Sequence, residues 1–521
     1  MMKKADKFVK NAAGRMVPTV VNGREVVPFM GVGKYKPTHR GAAPRVPSCS
    51  DYPADGNKLI ETLKEALVKC GLQDGMTIST HHHYRNGDFL ANLVFDIAAE
   101  MGVKNLRWLP SAAFPCHEPM IKHMESGVIH HIEGSLNGPL GDFCSRGKMT
   151  GLGYLRSHGG RYRAISDGEV HIDIAVMGAS AADMFGNANG VMGKHPFGPM
   201  AFTKADVKYA DRTIVVTDTL LDFPCYPWEI MGNDVDFVVV TEAIGDPNQI
   251  VSGSTRITNS PDRLLIAEYC AKFIEAAGIL KDGICFQAGA GGTSLAFVDF
   301  VKDMMLKKGI KARCLMGGST KFLVELLENG LTEYIFEGQA FDLEAIRSLR
   351  INPNHIPIAV FDSYDYHAKG NLAAMMDVIV LGSTEVDVNF NANCVTHSDG
   401  RMLHGIGGFQ NCMIAKCSII AVPSFRDRIP VIRDEVTTLV APGELVDVIV
   451  TERGICINPL RKDLIEATEN SGLPIRDIRD LKKEVDQICG IPAKPKLSEE
   501  AVAVVEWIDG TILDTIRKVE V

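Results

Sequence analysis

The chain repeats itself, and that repeat restricts its possible folds more than any other feature. One segment opens with Asp74-Gly-Met-Thr-Ile-Ser-Thr80 and continues through the polar loop His81-His-His-Tyr-Arg-Asn-Gly87. A helical stretch to Met101, a glycine stop at Gly102 and a strand-like Asn105-Leu-Arg-Trp-Leu109 complete it. The same order returns from Asp282, at an offset of 208. There Asp282-Gly-Ile-Cys-Phe-Gln287 is the strand, Ala288-Gly-Ala-Gly-Gly-Thr-Ser294 the loop, 295–308 the helix, Gly309 the stop and Ala312-Arg-Cys-Leu-Met316 the next strand. Strand, loop, helix, strand, with a crossover of this length, predicts neighbouring strands that run parallel.

Two further blocks match in the same order. Asp173-Ile-Ala-Val-Met-Gly178, Asp183 and Asn187-Ala-Asn189 reappear at an offset of 204 as Asp377-Val-Ile-Val-Leu-Gly382, Asp387 and Asn391-Ala-Asn393. Val235-Asp-Phe-Val-Val-Val-Thr-Glu242 returns as Val446-Asp-Val-Ile-Val-Thr-Glu452. The predicted fold is therefore α/β, a tandem duplication of two domains with open, largely parallel sheets, whose Val/Ile-rich strands suit burial on both faces. The expected divisions are an arm over 1–55, a first domain over 56–252 and a second over 253–521. Residues 248–258 are polar and turn-rich, and Ser260-Pro-Asp reads as a helix start with proline at its first position. The arm has prolines at 18, 28, 37, 44, 47 and 53 and no helical period, so it is expected to wrap the body or a partner in extended form.

Composition narrows the function. A chain of 521 residues with a net charge of -9 has no overall attraction to phosphate backbones or anionic lipid, so neither nucleic acid nor a membrane is an expected partner. The first eighteen residues lack the apolar run of a secretory signal, and no apolar stretch approaches the roughly 20 residues of a membrane helix. A cytoplasmic protein is expected. The 13 cysteines form no Cys-x-x-Cys pair, which suits reduced, buried thiols.

In open α/β sheets ligands bind beyond the carboxyl ends of the strands, and four glycine loops qualify there: Gly151-Leu-Gly153, Gly289-Ala-Gly-Gly292, Gly317-Gly-Ser-Thr320 and Gly405-Ile-Gly-Gly408. A dinucleotide fingerprint is not completed, because Ser294 stands at the third glycine position and no acidic residue ends the next strand. Bare backbone N–H groups serve equally as oxyanion donors for a carbonyl under attack, which suits acyl transfer. His81, His82 and His83 occupy the place of Gly289 to Gly291, but consecutive side chains diverge and no metal-ligand spacing accompanies them, so no metal is expected. Arg85, with His195 and Arg256, is a candidate for holding an anionic substrate.

The Gly-Ile-Gly-Gly loop after the Asn-Ala-Asn segment, on tandem α/β halves, resembles the CoA-transferase superfamily. Within it, the chain is similar to the citrate lyase α-subunit family. The residues carrying this are Gly382-Ser-Thr-Glu-Val-Asp-Val-Asn389, Gly405-Ile-Gly-Gly-Phe-Gln-Asn411, Gly289-Ala-Gly-Gly-Thr293 and Ser135-Leu-Asn-Gly-Pro-Leu-Gly141, and the likeness spans essentially the whole chain. It implies a transferase exchanging acetyl for citryl on an acyl-carrier thiol, so that citrate and acetyl-carrier give citryl-carrier and acetate. It also implies a β subunit that cleaves the citryl thioester and a small γ subunit, the acyl carrier protein, whose CoA-derived prosthetic group supplies the thiol. The chain itself is then expected to bind no cofactor, and self-association is expected.

Many CoA-transferases form a thioester on a glutamate after the strand ending here at Met316. This chain offers Gly317-Gly-Ser-Thr-Lys321 instead, with no carboxylate before Glu325, which fits transfer in a ternary complex. Glu328, before Asn329 and Gly330, reads as a helix end, whereas Glu337 follows a strand and stays a catalytic candidate. The expected catalytic set is Gly407, Gly408, Thr320, Lys321 and Glu337, and the expected substrate and carrier set is Gly289, Gly291, Gly292, Ser319, Gly405, His81, His83 and Arg85. Two rival readings are a covalent acyl-CoA transferase or hydrolase on the same fold and a non-catalytic scaffold.

Overall fold

The structure is a computed structural model describing residues 5–35, 55–251, 256–289, 291–367 and 370–520. The repeat appears in it as two sheets with the same strand order. In the first, Thr77–Thr80 lies at the centre, flanked on one side by Leu106–Pro110 and then Ile129–Ile132. On its other side come Ile172–Ala179, Ala210–Thr217 and Phe237–Val240. In the second, Cys285–Ala288 is central, with Ala312–Ser319 and Thr332–Ala340 on one side and Val378–Leu381, Ser418–Ala421 and Val448–Thr451 on the other. All these neighbours pair in parallel; Gly454–Ile457 adds one antiparallel edge to the second sheet.

The aspartates of the repeat show why the strands register alike. Asp173 accepts from the Thr77 N–H at 2.7 Å, and its counterpart Asp377 accepts from Cys285 at 2.8 Å. Asp236 and Asp447 do the same for Thr213 and Ser418, each at 2.7 Å. Three of these carboxylates satisfy the N–H of a strand's first residue, and Asp236 satisfies one within the strand Ala210–Thr217. The Asp–Asn turns are equally faithful: Asn187 donates to Asp183 at 2.9 Å and Asn391 to Asp387 at 3.0 Å. The crossover helix Gly292–Lys308 ends at Gly309, whose φ of +66° is the left-handed stop that a glycine allows. Helix Pro261–Ala276 begins with its proline as expected, although the Ser260 side chain makes no capping bond.

The end of the chain returns to its beginning. Leu497–Glu506 and Ile512–Val519 form a hairpin whose first strand runs parallel to Gly153–Leu155 of the first copy. The arm strands Ala5–Lys10, Met16–Val21 and Arg24–Glu25 form their own antiparallel sheet. They are tied to the hairpin by Asn11 Nδ2 donating to Leu513 at 2.7 Å and by Phe29 N donating to Ile512 at 2.8 Å. Arm residues 36–54, with four of its prolines, and the 252–255 part of the predicted boundary lie outside the described residues. A buried ion cluster sits at this seam: Arg156 contacts Glu133 and Glu506, and Arg163 reaches Glu506 at 3.0 Å. Losing one member would strand a buried charge, which costs about 3–5 kcal/mol.

Candidate active site

The carboxyl ends of the second sheet open into two adjoining cavities of about 250 and 380 Å³, which share Gly289, Gly382, Cys394 and His404 in their walls. Gly289, Gly317, Gly318 and Gly408 bring bare backbone to the smaller one. A methyl group at Gly317 would lie 2.9 Å from Gln287, and one at Gly408 3.3 Å from the Tyr364 hydroxyl. The larger cavity is lined by Gly291 and Gly292 at the start of helix Gly292–Lys308, by Thr293 and Ser294, and by Arg263 and Arg426. Burial and the like charge of Arg263 lower the Arg426 pKa, so two cations stand in this wall without a carboxylate among its lining residues.

First-copy residues hold the Gly405 to Gly408 loop in place. The Gly407 carbonyl accepts from His158 N at 2.8 Å, and Gly405 N donates to Asn137 Oδ1 at 3.1 Å. A Cβ at Gly405 would lie 1.9 Å from that of Ser135, so only glycine allows the two segments to meet. Gly407 itself has a left-handed φ of +60°. The motif Ser135-Leu-Asn-Gly138 of one copy is thus the bed for the glycine loop of the other. Gly151 and Gly153, by contrast, serve the fold: Gly153 pairs with the C-terminal hairpin.

The other candidates fall into three groups. Ser319 and Thr320 are buried where the Ala312–Ser319 strand ends, and Thr320 Oγ1 has no hydrogen-bond partner. Lys321 is exposed, with its ammonium 5.1 Å from the Phe322 ring centre. Glu337 is fully buried, Oε2 lying 2.9 Å from Nε2 of buried His355, while Glu328 pairs with Arg347 at 2.7 Å on the exposed helix end.

The histidine loop is packed rather than open. His81 Nε2 lies 3.2 Å from Asp206, which Arg161 grips with two bonds of 2.6 and 2.8 Å. Burial raises the Asp206 pKa, but Arg161 and His81 outweigh it and hold the carboxyl well below the usual range. His83 stacks on Phe197 at 4.5 Å between ring centres. Burial lowers the pKa of all three imidazoles, so they stay neutral. Arg85 lies over Phe341 of the second copy at 4.5 Å, and Phe341 lines the smaller cavity. His195 pairs with Asp218 at 2.6 Å, and Arg256 is exposed.

A model of the family described as citrate lyase, alpha subunit matches residues 56–519. The chain belongs to the citrate lyase alpha-subunit family. It is 39% identical to the citrate lyase alpha chain of Haemophilus influenzae over 481 residues, 92% of this chain and 96% of that one. The Escherichia coli K12 alpha chain is likewise 39% identical, over 469 residues covering 90% of this chain and 92% of that one. A crystal structure described as the putative alpha subunit of citrate lyase from Streptococcus mutans, in complex with citrate, is 40% identical with a TM-score of 0.94, covering 98% of this chain and 100% of that chain. The alpha subunit of an Acinetobacter baumannii malonate decarboxylase shares the fold alone, at 15% identity and a TM-score of 0.61 over 85% of this chain and 91% of that one. As a citrate lyase alpha subunit the chain is a CoA-transferase-like acyl transferase of a multisubunit enzyme. Among the described residues, no helix is long and apolar enough to cross a membrane.

Sequence reasoning missed several side chains of the cavity wall. Gln287 donates to Tyr364 at 3.2 Å and accepts from Cys412 at 3.4 Å; burial pushes the Cys412 thiol up to about 12 and makes it inert as a nucleophile. His158 lines the same cavity, and burial together with Arg161 pushes it down to about 4. No motif marks these residues, since they come from strands and helices far apart in sequence. Gln339 had one signal, its place two residues after Glu337 at a strand end.

Proposed function

We propose that this chain transfers an acyl-carrier thiol from acetate to citrate, turning citrate and acetyl-carrier into citryl-carrier and acetate. The observation carrying this reading is the pair of adjoining cavities walled by bare glycine backbone at Gly289, Gly291, Gly292, Gly317, Gly318 and Gly408, next to the junction of the two copies. A citrate carboxylate oxygen attacks the acetyl carbonyl, and the C–S bond breaks to release thiolate and a mixed anhydride. The thiolate then attacks the citryl carbonyl, and acetate leaves. Both additions place negative charge on a carbonyl oxygen, which backbone N–H groups stabilise without reorganising, and the closed wall keeps water from the anhydride.

In this reading Gly407, Gly408 and the loop of Gly289, Gly291 and Gly292 line the carrier thioester, with Gly405 setting that loop's height. Arg263 and Arg426 suit the anionic arm of a CoA-derived group, and the uncovered glycines suit its close passage. Ser319, Thr320 and Lys321 face citrate with Arg85, whereas His81 and His83, expected beside them, are claimed by Asp206 and Phe197 and form the wall behind. Transfer proceeds in a ternary complex. Glu337, locked against His355, and Glu328, on the outer surface, are the two glutamates to watch for an adduct. The partners are a β subunit that cleaves citryl-carrier, a γ carrier subunit and further copies of this chain, in the cytoplasm. The divisions 1–55, 56–252 and 253–521 belong to the same proposal, with the C-terminal hairpin reaching back onto the first domain.

The test is to incubate the purified chain with acetyl-CoA, as carrier surrogate, and citrate, then follow products and enzyme mass. Citryl-CoA without an enzyme adduct is expected. An adduct on Glu337 or Glu328 would make the transfer covalent, and no product with either citrate or citramalate would leave a scaffold.

A further inference from the structure

Among the described residues, Gln339 Nε2, Arg85 Nη1 and Thr320 Oγ1 are buried side-chain groups without a hydrogen-bond partner, and Phe341 links the segments that carry them. Arg85 covers Phe341, two residues after Gln339, and Phe341 N donates to the carbonyl of Ser319, next to Thr320. Buried polar groups normally find partners, so an orphaned set at one place points to a ligand that supplies acceptors.

Within this set Gln339 is held in a defined orientation from the other copy. The Ser111 hydroxyl accepts from the His82 backbone N–H at 3.2 Å, and its oxygen lies 2.6 Å from His82 Nδ1. In the tautomer assigned here the Ser111 hydroxyl donates to Nδ1 and the ring carries its proton on Nε2. That nitrogen lies 3.3 Å from Gln339 Oε1. Burial and neighbouring positive groups keep His82 uncharged, so the ring has one donor only and spends it on Gln339. With Oε1 occupied, the amide turns its N–H₂ group to the unpaired side, and Gln339 lines the smaller cavity.

We propose that Gln339 is a specificity-determining residue that donates from Nε2 to a substrate carboxylate, beside the Arg85 cation, and that Ser111 and His82 are positioning residues for its amide. This rests on the tricarboxylate reading above. It adds a neutral donor, oriented by the first copy, to a site whose cations are Arg85, Arg263 and Arg426. A neutral amide bonds a carboxylate without requiring a matching charge, and it turns away an ester or amide less strongly than a cation would.

The experiment measures KM for citrate and, separately, for acetyl-CoA, together with calorimetric citrate binding, on the full chain and its variants. Gln339→Ala is expected to raise KM for citrate about 10- to 100-fold. Gln339→Glu should raise it further, while KM for acetyl-CoA moves less than twofold. His82→Ala should raise KM for citrate about tenfold, and His82→Gln, whose amide N–H can replace Nε2–H, should restore most of it. An unchanged KM for citrate in Gln339→Ala, or equal rises for both substrates, overturns the proposal, as does His82→Gln behaving like His82→Ala. If the wild type neither binds nor converts citrate, the functional reading falls first, which separates that failure from one confined to Gln339.

Discussion

The carboxyl ends of the two central strands are built on one plan and finished in opposite ways. Thr77 pairs with Arg107 as Cys285 pairs with Cys314, so three residues further on Pro110 corresponds to Gly317. His81 to His83 correspond to Gly289 to Gly291, at the offset of 208. In the first copy the ends are sealed by imidazoles, a proline and the Ser79–Asp206–Arg161 cluster. In the second they are bare, and the cavities open there. Duplication thus kept the scaffold, because the strand-start aspartates and Asp–Asn turns are needed in both. The difference lies in side-chain volume at a few strand ends: one copy became a wall, and the other opens into the cavities.

The hardest blow to this contrast is aimed at the sealed end. Arg161→Ala leaves Asp206 buried without its cation and should cost about 3–5 kcal/mol, read as the urea midpoint at constant slope. A loss below about 1 kcal/mol would mean that the seal is not structural. At the open end, Gly318→Ala puts a methyl group 1.7 Å from the Phe341 ring and must push that ring from beneath Arg85. Its transfer rate should fall more than tenfold with little change in melting temperature; a wild-type rate would show that the cavity tolerates a narrower mouth.

Acid sharpens the comparison next. His81, His82, His83 and His158 are held below the ordinary 6.5 by burial, His158 down to about 4. The unfolded chain therefore takes up protons that the folded one refuses, and stability falls as pH drops from about 6.5 towards 4. Melting temperature against pH should show this slope, and His83→Phe, which keeps the stack on Phe197, should flatten it. The smallest effect belongs to Glu328. Its exposed pair with Arg347 contributes about 0–1 kcal/mol, so Glu328→Gln should leave both transfer and stability near wild type. A collapse of transfer there would make this glutamate covalent.

Much of this was legible beforehand. The repeated aspartates and Val/Ile runs announced two parallel sheets, since strand starts and doubly buried strands are local requirements. Gly289, Gly291, Gly292 and Gly408 were recognisable because glycine after a strand marks close backbone approach. His81 and His83 were visible as unusual, yet nothing local says that Asp206 and Phe197 would claim them. Gln287, Gln339 and Tyr364 carried no motif because their meaning depends on neighbours from other elements. The sequence by itself therefore determined the duplicated α/β scaffold and the glycine loops, which follow from periodicity and backbone freedom, and it carried the resemblance of its motifs to the family. Only the tertiary structure decided which copy is wall and which is cavity, because burial and partner choice for a polar side chain are set by contacts across the chain: His82 against Gln339, Asn137 against Gly405 and Arg85 over Phe341.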